Sequence, residues 1–143
     1  MMRAEPIAAA DPALRHALLA ADLPVADLER PGRRFYRFAE AGETVGFGGL
    51  EAYGEAVLLR SVVVAPDFRG TGRGRAITQA LIDEARVLGV RDLYLMTTTA
   101  EAFFRHLGFA RIDRAAAPAA ILATEQATTI CASAAMLVRS ARG

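Results

Sequence analysis

The sequence predicts an α+β fold: a mixed, largely antiparallel sheet with one β-α-β crossover. Three observations lead there. Apolar and β-branched runs at Phe35–Phe38, Thr44–Tyr53 and Ala56–Val64 are separated by the turns Ala41-Gly42-Glu43 and Tyr53-Gly54-Glu55, the pattern of an antiparallel meander. An amphipathic stretch from Gly72 to Leu88 leads into a second apolar run ending at Met96. A strand-helix-strand passage of that length crosses right-handed and sets its two strands parallel. Finally, 143 residues of which 53% are hydrophobic suit one domain, residues 1–143, with a real core.

Taken in order, residues 2–7 form a short, weakly patterned first strand. Asp11-Pro12 starts a helix, with an N-cap acceptor followed by proline at the first helical position. Leu14, Ala17, Leu18 and Ala21 are its apolar face, and Pro24 breaks it. Val25–Leu28 reads as a second short helical turn, ended by Pro31-Gly32. The three meander strands follow. Gly46, Gly48 and Gly49 lie inside the middle one, where glycine marks a bulge or the close approach of another chain segment. By strict alternation Arg60 shares a face with Leu58, Val62 and Val64, and Ser61 with Leu59 and Val63. After the Gly72–Leu88 helix, Gly89 is its natural left-handed stop. The strand beginning at Arg91 or Asp92 runs to Met96. Thr97-Thr98-Thr99 caps a helix over about Ala100–Leu107, stopped by Gly108. Phe109–Asp113 is a strand, Pro118 starts a helical stretch to about Thr128, and Ser133–Arg139 closes the sheet.

The stretch that organises the chain is Ser61 to Ala76. An apolar strand stops at Pro66, a glycine-rich basic loop runs from Arg69 through Gly70, Thr71, Gly72, Arg73 and Gly74 to Arg75, and a helix opens. Glycines let successive N–H groups turn inward, the helix N-terminus adds unpaired N–H groups and positive dipole, and three arginines add charge. Such a loop suits a phosphate or pyrophosphate. It is not a Walker A loop, because the chain has no lysine, and the dinucleotide spacing G-x-G-x-x-G is absent.

The spacing Arg69-x-x-Gly72-x-Gly74, after Val62-Val63-Val64-x-Pro66, resembles the acetyl-CoA pyrophosphate loop of the GNAT superfamily of N-acetyltransferases. Ala100 to Phe109, an aromatic pair on a helix ending in Gly-Phe, resembles a second GNAT segment. Many members have there a tyrosine that protonates the departing thiolate; this chain has Phe104, which cannot, although a thiolate near neutrality is a tolerable leaving group. Gly49-Leu50-Glu51, Leu59-Arg60-Ser61, Thr97 to Glu101 and the tail around Pro118, Thr124, Cys131 and Ala134 are similar to the arsenic-resistance-associated branch, some relatives of which acetylate amino acids bearing arsenic or phosphorus acid groups. The resemblance implies acetyl-CoA as cosubstrate with no metal. Pantetheine would pair with Val62, Val63 and Val64, and pyrophosphate would sit on Arg69–Arg75. Phe104 would line the thioester, and a small, amino-acid-like amine would be the acceptor.

On the acceptor side Glu51, near the end of the strand beside Val62, is the candidate base for the amine proton; a solvated strand-end glutamate is the competing role. Arg60 interrupts an apolar strand and must find a partner or a cleft: it clamps an acidic group of the substrate, or it pairs with Glu51 or Glu55. Thr97 and Thr98 line the substrate or cap the next helix. Glu55, His16 and His106 read as surface residues. One cysteine, Cys131, excludes an internal disulfide, suits a reducing cytoplasm and reads as a small buried apolar residue. With net charge +1 and no apolar run near the ~20 residues of a span, neither nucleic acid nor membrane is an expected partner; no signal peptide is evident, and a homodimer stays open. The competing functions are a non-catalytic CoA-binding sensor or partner module on the same fold and a protein acetyltransferase, the latter without the acidic run that basic peptides would need.

Overall fold

The structure is a computed structural model; it describes residues 2–130 and 133–142, so the reading of Cys131 falls outside the described residues. The strands are β1 (Arg3–Ile7), β2 (Arg33–Glu40), β3 (Glu43–Tyr53), β4 (Ala56–Val64), β5 (Asp92–Thr97), β6 (Ala110–Ile112) and β7 (Ala135–Ser140). The helices are α1 (Pro12–Ala20), α2 (Arg73–Val87), α3 (Glu101–Arg105) and α4 (Ala119–Leu122), with short 3-10 turns at Pro66–Phe68 and Arg114–Ala116 and a π turn at Gln126–Ile130. Seven strands form one sheet in the order β1-β2-β3-β4-β5-β7-β6, with β1–β2, β2–β3, β5–β7 and β7–β6 antiparallel and β4–β5 parallel. The expected α+β fold with one crossover is the observed one.

The chain divides into two compact units, Met1–Glu51 with Leu59–Leu81, and Ala52–Leu58 with Ile82–Gly143. In the first, Leu14 and Leu18 of α1 bury against Phe35, Phe47 and Val63. Asp11 caps α1 as expected, its Oδ1 accepting from the Ala13 N–H at 2.8 Å. The β2–β3 hairpin turns through Ala41 and Gly42, both at positive φ. The β3 glycines are explained by close approach. A Cβ on Gly46 would run into the Val63 carbonyl oxygen and Ile77, and one on Gly48 would stand 2.6 Å from Leu81. The glycines on this face thus admit α2, while Phe47 faces the α1 side.

In the second unit Ala56, Leu58, Tyr94, Ile121 and Met136 form the core. The parallel ladder joins Ala56, Val57 and Leu58 to Asp92, Leu93 and Tyr94. Gly89 and Gly108 stop α2 and α3 at φ 80 and φ 93, and buried Phe109 donates its N–H to the Phe104 carbonyl at 3.2 Å.

Four sequence expectations need correction. Val25–Leu28 forms no helix: residues 26–29 make a hydrogen-bonded turn, with Arg30 N–H donating to the Asp27 carbonyl at 3.2 Å, too short a stretch to set up repeating helical bonds, and the Asp27 side chain is buried in ion pairs. The stretch after Pro118 is broken into α4 and the π turn; Thr124 Oγ1 accepts the Ala127 N–H at 3.2 Å and donates to the Ile121 carbonyl, supplying side-chain partners that compete with helix continuation. Strand β7 does not close the sheet but lies between β5 and β6, leaving β6 at the edge. Strict alternation along β4 fails at Ser61, whose φ of 59° is left-handed and cannot continue the pleat.

Candidate active site

Strand β4 runs into the loop through the Pro66–Phe68 turn. The Ala65 N–H donates to the Val45 carbonyl at 2.7 Å, which anchors the strand end to β3. Past it the chain turns through Gly70 and Gly72 at φ 75 and φ 80, a conformation glycine reaches without a Cβ penalty. Nothing lies within 4 Å of where a Cβ would stand on either, so their surroundings are open. The Thr71 hydroxyl donates to the Phe68 carbonyl, closing the turn. Helix α2 then starts at Arg73. Gly70, Thr71, Gly72, Arg69 and Arg75 are exposed, so the loop presents backbone and charge outward.

Arg69 and Arg73 are held differently, and Arg75 is exposed. Arg69 Nε donates to the Val64 carbonyl at 3.3 Å, folding the side chain back over the strand end. Arg73 is engaged by Glu40: Nε and Nη2 each stand 3.0 Å from its carboxylate, and the guanidinium lies 5.3 Å from the Phe68 ring centre. The hydrogen bond from Arg73 holds the Glu40 carboxyl below its usual range, and the same bond raises Arg73. A cavity of about 150 Å³ opens beside the loop, lined by His16 and Ala20 of α1, Phe47 of β3, consecutive residues Val63–Pro66, and Arg69. Its walls are mainly apolar, with Arg69 at the loop side.

Glu51 and Arg60, predicted separately for the acceptor end, are brought together at 2.5 Å. Sequence reasoning missed Asp27. Its carboxylate grips Arg60 with two bonds, Oδ2 to Nη1 at 2.5 Å and Oδ1 to Nη2 at 2.8 Å, and takes Arg33 Nη2 at 3.0 Å. Arg33, paired with Glu51 across β2 and β3, reaches its carboxylate at 3.5 Å. Asp27 and Glu51 side chains are fully buried, Arg60 is fully buried and Arg33 nearly so. Two cations therefore meet two anions out of water, the condition under which buried charge is tolerated. The Arg60 guanidinium also lies 5.8 Å from the Phe35 ring centre. Burial would raise the Asp27 pKa, but the bonds and charges of Arg60, then Arg33, outweigh it and hold the carboxyl below its ordinary value. Burial opposes the charge on Arg60, and Asp27, then Glu51, more than restore it. The only sequence signal for Asp27 was an acid in an apolar stretch, Leu23 to Leu28, just after Pro24.

In the second unit, the Thr97 hydroxyl accepts the Ala100 N–H at 3.0 Å, so it helps cap α3. Thr98 is exposed. Phe104 is buried, edge-on to Phe103 at 5.0 Å and to Phe109 at 5.8 Å. Glu55, His16 and His106 are exposed. Among the described residues no three His, Cys, Asp or Glu side chains gather as a metal site, and no helix is long and apolar enough to cross a membrane.

Residues 31–111 match the acetyltransferase (GNAT) domain family model. That match covers more than half of the chain, and the chain belongs to this family. An Escherichia coli protein described as the uncharacterized N-acetyltransferase YjgM is 31% identical over 94 residues, covering 60% of this chain and 56% of that protein. An amino-acid acetyltransferase of Salmonella typhi is 35% identical over 52 residues, 36% of this chain and 12% of that one. The chain thus spans little more than half of the first relative's length and a small part of the second's. Among solved structures, N-acetylglutamate synthase from Neisseria gonorrhoeae, complexed with coenzyme A and N-acetyl-glutamate, matches with a TM-score of 0.77 at 16% identity, over 98% of this chain and 34% of that one. At that identity the likeness is one of fold.

Proposed function

We propose that the protein is an acetyl-CoA-dependent N-acetyltransferase acting on the amine of a small, amino-acid-like molecule. The observation that carries this is the exposed Arg69–Gly72 loop between β4 and α2, with Arg73, Gly74 and Arg75 in the first turn of that helix. Pyrophosphate would sit on Gly70–Gly74, and pantetheine would run along Val62, Val63 and Val64. The mainly apolar cavity at Val63–Pro66 suits its branched methyl section. The amine nitrogen attacks the thioester carbonyl, the C–S bond breaks, and CoA leaves as thiolate or thiol while the amide forms. Strand amides at Val62–Val64 would polarise the carbonyl.

The proton from the amine has two destinations. Glu51 as acceptor is the first. Its burial and its bonds to Arg60 and Arg33 favour a second, in which Glu51 holds the cations and water takes the proton. A pH-rate profile separates them: as a base, Glu51→Gln loses most turnover below the amine pKa and recovers as pH rises, whereas full activity at neutral pH leaves water as the acceptor. Arg60 would orient an acidic group on the acceptor; to clamp it directly, Arg60 would have to release Asp27 or Glu51, so its part is that of a fixed charge. The branch reading makes amino acids with arsenic or phosphorus acid groups the acceptors to screen first, by CoA release, against plain amino acids. Cytoplasmic location and action as a monomer or homodimer belong to the same proposal.

Calorimetry of CoA binding tests the loop. Gly72 already sits at φ 80, which Asn and Asp tolerate better than most residues. Gly72→Asp should abolish binding while Gly72→Asn keeps part of it, because only Asp puts negative charge against pyrophosphate. Unchanged affinity in Gly72→Asp would remove the loop assignment.

A further inference from the structure

Ser61 is one of three non-glycine residues at positive φ among the described residues, and the one inside a strand; Asp22 and Ala41 lie in turns. An L-residue is held in that region only when its surroundings over-determine it. Here they do. Arg60 Nε donates to Ser61 Oγ at 3.1 Å, and the rest of the Arg60 guanidinium is fastened by Asp27 and Glu51. Past the kink, the last two strand residues, Val63 and Val64, line the same cavity, although a flat strand sends consecutive residues to opposite faces.

We propose that Asp27, acting through Arg60, is a positioning residue that holds Ser61 in its left-handed conformation and so aims the backbone of Val62–Val64 at the cosubstrate. This rests on the reading that pantetheine runs along that segment. Asp27 and Glu51 keep Arg60 charged and immobile, Arg60 fixes the Ser61 hydroxyl, and the left-handed Ser61 redirects the strand. A regular β4 would point the amides of Val62–Val64 along a different line.

Glycine supplies the test, because it adopts positive φ without help. Ser61→Ala loses the acceptor and keeps the penalty; Ser61→Gly loses both. CoA affinity should fall about tenfold in Ser61→Ala and stay within roughly twofold of the parent in Ser61→Gly. Asp27→Asn should weaken CoA binding alone and recover in the Asp27→Asn, Ser61→Gly double variant, which a role in stability alone would not produce. Should Asp27→Asn fail to fold, the Ser61 pair still decides. Amide hydrogen exchange at Val62–Val64 in the free protein gives a readout that needs no CoA: faster in Ser61→Ala and Asp27→Asn, restored in both glycine variants. Equal weakening in Ser61→Ala and Ser61→Gly would overturn the proposal, because the hydroxyl would then be a ligand itself. Uniform exchange across the variants would overturn it too. A parent protein that binds no CoA would sink the cosubstrate reading alone, leaving the exchange pattern to judge Ser61.

Discussion

Replacing Asp27 with alanine removes three charge-assisted bonds, two to Arg60 and one to Arg33, none longer than 3.0 Å. It leaves two buried guanidinium groups facing the single carboxylate of Glu51, which meets Arg60 at 2.5 Å and Arg33 at only 3.5 Å. Taking one partner from a buried ion pair costs about 3–5 kcal/mol, because the remaining charge is left without compensation. For a domain whose whole stability is about 5–15 kcal/mol, that is a large share. At roughly 2–4 °C per kcal/mol for a chain of this size, Tm should fall by about 10 °C. Urea unfolding followed by circular dichroism gives the free energy, and the slope m should stay constant if only stability changes. Acidification offers a second check. The folded Asp27 carboxyl titrates below its unfolded value, so its contribution is complete above about pH 4 and is lost as pH falls through the lower folded value. The gap between parent and Asp27→Ala should therefore close at strongly acid pH. A variant within about 0.5 kcal/mol of the parent at neutral pH, the scatter of ordinary surface substitutions, would refute the idea that Asp27 balances the cluster.

Two further outcomes follow from the same geometry. Gly46→Ala places a methyl group against the Val63 carbonyl, so β3 or β4 must move; a loss of about 1–3 kcal/mol in urea unfolding is expected, and a neutral result would mean the two strands are not so closely apposed. Glu40→Gln releases Arg73 and adds positive charge beside the loop; CoA should bind more tightly at low salt, with the gain vanishing near 1 M salt, where charges are screened within about 3 Å. Unaltered affinity at low salt would place Arg73 away from the anion.

Much of the molecule was legible because its signals are local. The cap at Asp11, the left-handed stops at Gly89 and Gly108 and the meander turns each depend on a few neighbouring residues, and each stands where the sequence placed it. The glycines of β3 announced a close approach, although only the structure showed Val63, Ile77, Leu81 and Phe35 as the neighbours.

Other features were decided by tertiary structure. Asp27 lies 33 residues from Arg60, and no local rule links them; the apolar pattern of Val25–Leu28 suggested a helical turn, but burying two arginines required a second carboxylate, and the loop took the shape that delivers one. Ser61 sits in a strand of valines and leucines that favours extended backbone, yet its φ is left-handed and its hydroxyl accepts from Arg60 Nε, whose guanidinium is held by residues distant in the chain. The place of β7 between β5 and β6 likewise follows from partners far apart in the chain, such as Met96 with Met136 and Ile112 with Met136. Turns and caps were written in the sequence because their energies are set within a few residues. The buried charges, the kink and the strand order were not, because their energies arise only when distant segments exclude water together.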